Sequence, residues 1–111
     1  MRKLPEVIQV VDALRLRLGD ALVVVDHWEG DLAAVGVALR GAAQRLAYVL
    51  RKSSPRRPTF YIALELPPEP GSDLPYAVAG DHHDLSLADA LDVIVSHLGS
   101  SSDANAALSA T

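Results

Sequence analysis

The 111 residues, half of them hydrophobic, suffice for one packed domain and are too few for two, and they exclude a chain disordered throughout. The absence of cysteine excludes disulfides and thiolate chemistry, and aromatics at 5% leave the core to Val, Leu, Ile and Ala. The net charge of −4 conceals a segregation. All ten Lys and Arg lie between Arg2 and Arg57, among six acids, whereas residues 58–111 carry eight acids and no base.

The first element is an amphipathic helix over residues 5–18. Val7, Val11, Leu14 and Leu18 follow the spacing of one helical face, which Ile8 and Val10 broaden. Pro5 suits the first helical turn, and Gly19 suits the position just past the last. Residues 20–66 then read as strands. The stretch 21–28 is β-branched at its centre and apolar on both sides, which predicts a central strand. Glu29, Gly30 and Asp31 make a turn, and residues 32–40 follow with Val35, Val37 and Leu39 on one face. After a turn at 41–44, residues 45–51 alternate, Leu46, Tyr48 and Leu50 against Ala47 and Val49. The alanines between 32 and 50 would also tolerate a helix.

Residues 52–58, with two prolines and two serines, form a loop. Residues 59–66 alternate again: Phe60, Ile62, Leu64 and Leu66 face one way, Tyr61, Ala63 and Glu65 the other. A Pro-rich connection over 67–73 leads to a short edge strand at 76–79 and a polar loop at 81–84. Ser86 caps a second helix that Gly99 stops, with Leu87, Leu91, Ile94 and Leu98 on its apolar face. The expected fold is α+β: an N-terminal helix, a four- to five-stranded antiparallel meander and a C-terminal helix, in two layers, within residues 1–99. Residues 100–111, rich in Ser and Ala, are expected to be a disordered tail.

Three clusters bear on chemistry. Asp81-His82-His83-Asp84 offers imidazole and carboxylate for a metal, with His27 as a remote third ligand. Adjacent residues of an extended chain point apart, so the more economical reading is a polar loop before the helix. Asp26-His27-Trp28-Glu29 ends a strand, where an acid beside a histidine suggests base catalysis. Alternation separates the two, however, and neither a Cys nucleophile nor a serine elbow is present. Arg51, Lys52, Arg56 and Arg57 could meet phosphates, with Tyr48 or Tyr61 stacking a base, but the negative net charge disfavours nucleic acid. No glycine-rich phosphate loop is present, and no cofactor is expected.

The acidic half is the stronger lead. Glu65, Glu69, Asp73, Asp81 and Asp84 fall on loops and strand ends with no base after Arg57, a surface suited to a basic partner, and Trp28 is a candidate anchor. Asp26-His27-Trp28, Gly30-Asp31 leading into Ala34-Val35-Gly36-Val37, Tyr61-Ile62-Ala63-Leu64-Glu65, Leu74-Pro75-Tyr76 and the helix end at 91–99 carry a resemblance. Together they resemble small bacterial immunity-type proteins of polymorphic toxin systems. The resemblance implies a small α+β protein that blocks a toxin, often a basic nuclease, through an acidic surface. The expectation is therefore a non-enzymatic interaction domain. Its alternative is a metal-binding domain or metal-dependent hydrolase using His82 and His83. A homo-oligomer is a third reading. No apolar run reaches membrane-spanning length and the basic N-terminus precedes no apolar stretch, so a cytoplasmic location is expected.

Overall fold

The computed structural model describes residues 2–25, 30–52 and 57–99. The expectations placed on Asp26-His27-Trp28-Glu29, on Arg56 and its loop, and on the tail at 100–111 lie outside the described residues. Helix α1 (Pro5–Leu18) is followed by a short 3-10 turn, Gly19–Ala21. Strands β1 (Leu22–Val25), β2 (Ala34–Leu39), β3 (Ala42–Lys52), β4 (Thr59–Leu66) and β5 (Ala77–Leu85) follow, and α2 (Leu87–Gly99) closes the chain. The strands form one antiparallel sheet in the order β1-β2-β3-β4-β5, a meander in which every strand pairs with its neighbours in sequence. This is the expected α+β architecture, and residues 34–39 and 42–52 extend rather than coil.

Local chemistry sets the helix ends. Pro5 opens α1, where its missing N–H breaks no bond, and Gly19, at φ +62°, donates its N–H back to the Arg15 carbonyl. Ser86 Oγ accepts the Asp89 N–H at 3.1 Å and so caps α2. Ser86→Ala is expected to lower stability by about 1 kcal/mol, readable as a shifted denaturation midpoint with unchanged slope.

Both helices lie on the same side of the sheet. Val7, Val10, Val11 and Leu14 of α1 and Ala90, Leu91, Ile94 and Leu98 of α2 are buried in one cluster. The strands complete it with Leu22, Val35, Val37, Ala47, Val49, Phe60, Ile62 and Leu64. Burying so much aliphatic surface in one place is the main force holding the two layers together. By alternation, Val23 and Val25, then Ala34, Gly36 and Ala38, then Leu46, Tyr48 and Leu50, and Tyr61, Ala63 and Glu65 project from the opposite, outer face. No described helix covers that face, yet Ala34, Gly36, Ala38 and Leu46 are buried on it, so its exposed part is the side of β5.

Two expectations need correction. The apolar segment at 21–28 predicts a central strand, but β1 pairs with β2 alone and is an edge. A meander places its first strand outermost whatever its composition, and the partial burial of Val23, Val24 and Val25 satisfies the apolar side chains there. The polar segment 81–84, read as a loop, is the second half of β5, a nine-residue strand rather than a short one. Pairing with β4, Ala63 against Asp81 and Ile62 against His82, overrides the weak strand propensity of Gly, Asp and His. Register shifts between Phe60 and Ile62 and between Leu64 and Glu65 absorb the mismatch, with Gly80 at φ +120° and Asp84 at φ +55°. Aspartate tolerates the left-handed region and β-branched residues do not. Asp84→Val should therefore cost about 1–3 kcal/mol while Asp84→Gly leaves stability almost unchanged, as thermal melts of the pair would show.

Candidate interaction face

The outer face carries an ordered polar and aromatic array. Tyr48 of β3, Tyr61 of β4 and His83 of β5 follow one another across the sheet, with ring centroids 6.3 Å apart for the tyrosines and 4.8 Å for Tyr61 and His83. The Tyr61 hydroxyl donates to Asp81 Oδ2 at 3.0 Å, and His83 Nε2 lies 3.6 Å from the same oxygen. This hydrogen bond is the main reason that Tyr61 ionises above its ordinary value of 10.0, with the Asp81 charge adding to it. Tyr48 is raised too, first by burial and then by the charge of Asp31. A carboxylate thus contributes to the shift of each ring, beside burial.

The five expected acids divide by position. Glu65 and Asp81 share the outer face, Glu65 opposite Leu46 and Val78, Asp81 opposite Ala63. Glu69 and Asp73 lie exposed in the connection between β4 and β5, and Asp84 is exposed at the far end of β5. They do not converge on a point. Asp31, in the turn before β2, lies close enough to Tyr48 for its charge to raise that hydroxyl's pKa, while its Oδ1 accepts the Ala33 N–H at 3.0 Å. Exposed apolar groups accompany the acids: Leu74 at 66%, Tyr76 at 42% and Val78 at 76% exposure. Pro75 and Tyr76 arch over a cleft of about 520 Å³ whose other walls are Val25, Ala43, Gln44, Leu46 and Glu65.

Basic side chains of the first half reach helix α2 of the acidic half. Arg17 of α1 pairs with Asp92 of α2 at 3.3 Å, and Arg45 donates to the His97 carbonyl at 2.7 Å, where the negative end of α2 favours a cation. Arg51 lies 3.5 Å from Glu6. On β5, Asp81 and Asp84 are both exposed.

The histidines do not gather. His82 pairs with Ile62 and so points to the helix side, where it borders a cavity with Asp92 and His97, while His83 points to the outer face. Two ligands on opposite faces of one strand cannot serve one ion, and among the described residues no three His, Asp or Glu side chains form a metal-binding group. His97, which the sequence reading passed over, is buried against the sheet with Nε2 2.9 Å from the Glu65 carbonyl. Burial holds its pKa below the ordinary 6.5, Arg45 adds to the lowering, and hydrogen bonds to the Glu65 and Leu46 backbone oppose it.

That depression has a stability consequence. The unfolded chain binds a proton near pH 6.5 that the folded chain refuses until lower pH, so stability is intact above 6.5 and falls as pH drops toward the folded value. Between about pH 7 and about pH 5, the native chain should lose more stability than a His97→Gln variant. Denaturant titrations at both pH values check it; equal losses would show that His97 is not the responsible group.

Compared with protein-family models, curated proteins and solved structures, the chain matches none. Among the described residues, no helix is long and apolar enough to cross a membrane.

Proposed function

We propose that the chain is a non-enzymatic interaction domain that holds a basic polypeptide partner against the outer face and β5 side of its sheet. One observation carries the reading: both helices occupy one side of the sheet, and the other side carries half-buried Tyr48 and Tyr61 with exposed Tyr76 and Val78, bordered by Asp31, Glu65 and Asp81. Aromatic and apolar contacts surrounded by charge of one sign are the usual anatomy of a protein interface with a partner of opposite charge. The immunity-type resemblance supports the same reading, a cytoplasmic inhibitor that occludes a basic toxin. A second copy of the chain would bring carboxylates against carboxylates, so self-association through this face is disfavoured.

The test is the salt dependence of binding to the partner captured from the source cells. The partner should be basic, and its affinity should fall steadily as salt rises from about 50 to about 500 mM, because exposed charge pairs are screened over roughly 10 Å at 0.1 M. An acidic partner, or an affinity indifferent to salt, would overturn the reading.

A further inference from the structure

We infer that the free edge of β5 is a docking edge, to which a flexible, basic, extended segment of the partner adds as a further strand. The inference rests on the basic-partner reading above and names the backbone contact that holds the partner. β5 pairs with β4 alone, so the other side of this nine-residue strand offers N–H and C=O groups that no neighbouring strand takes up. All residues from Val78 to Asp84 are exposed. The opposite edge of the sheet is unlike it: β1 has four residues, and none of them is exposed. The sheet is therefore open at β5.

The shape and charge of the strand select the occupant. Its register with β4 shifts between Leu64 and Glu65 and again between Phe60 and Ile62, and each time β5 supplies the extra residue. A regular, rigid edge cannot follow those bends, whereas a segment without structure of its own can. A second copy of β5 would carry the same bulges and would bring Asp81 and Asp84 against the same acids. No Lys or Arg follows Arg57, so β4, β5 and the connection between them contain none. Asp73, in that connection, and Asp84 are exposed and have no ion-pair partner among the described residues. Basic side chains flanking an added strand would meet them, so the main chain supplies affinity and charge supplies selection. An oligonucleotide has neither the amides for the edge nor the charge for the acids.

Titrating the full chain with three blocked heptapeptides tests the edge by nuclear magnetic resonance. One alternates lysine with valine, the second has glutamate for lysine, and the third is the lysine peptide N-methylated at two adjacent central residues. Adjacent amides of a strand point to opposite sides, so the two methyl groups block both of its edges. The lysine peptide should give saturable shifts at the amides of residues 78–84, with binding about tenfold weaker or less for each of the other two. Undiminished binding of the N-methylated peptide, equal binding of the glutamate peptide, or no shifts at millimolar concentration would overturn the docking edge. Shifts confined to the outer side of β3 and β4 and indifferent to N-methylation would also refute the edge, yet leave the basic-partner reading standing. That reading fails separately, if the captured partner binds without salt dependence.

Discussion

Phe60→Ala is expected to destabilise the domain by about 3–5 kcal/mol, a large part of the 5–15 kcal/mol that a domain of this size commonly has. Phe60 is among the largest fully buried side chains, with only 1% of its surface exposed, and it joins the cluster beneath both helices. Truncation removes its transfer free energy and leaves a cavity that the fixed strands around it cannot close. The adjacent position supplies the control. Tyr61 projects from the opposite face, half-buried, and its hydroxyl contact to Asp81 is exposed. Tyr61→Ala should therefore cost far less, on the order of 1 kcal/mol. Comparable losses at both positions in denaturant melts would mean that the outer face is packed like a core, and the interaction reading would lose its surface.

The second large effect concerns binding. Replacing Glu65 and Asp81 together by lysine should weaken the captured partner at least about 100-fold, because each reversal removes an attraction and sets like charge against the partner. The fold should persist, since both side chains lie on the face away from the core and neither belongs to its cluster. Reversal at Asp12 and Asp20, exposed acids on and just after α1, is the matched control and should leave affinity within about threefold. Equal losses from the two pairs would mean that net charge, rather than this face, governs association.

What could be read from the sequence was what short-range chemistry dictates. The bounds of α1 follow from Pro5 and Gly19, the start of α2 from Ser86, and the alternation of β4 from Phe60 to Leu66. Where pairing at a distance decides, the sequence was a poor guide. Strand β3 could have buried Leu46, Tyr48 and Leu50, its bulkier side. It turns Ala47 and Val49 to the helices instead, because the register pairing Tyr48 with Ala63 and Val49 with Ile62 matches faces across the sheet, and Leu46 is buried on the outer side. That choice sets both tyrosines, half-buried, on the outer face. Strand β5 was hidden by Gly80, His82 and His83, residues that form a strand here only because β4 lies alongside. Glu65 and Asp81 were identified among the acids. His97 escaped for the opposite reason: it occupies the apolar face of α2, where only the tertiary structure reveals the Glu65 carbonyl awaiting its proton.

The most direct test of an outer-face contact is cross-saturation transfer from the bound partner to the labelled chain. Attenuation should concentrate on the outer side of β3, β4 and β5, around Tyr48, Ala63 and Asp81, and spare the exposed positions Asp12, Arg15 and Asp89 of the helices. Attenuation confined to α1 and α2 would contradict the account.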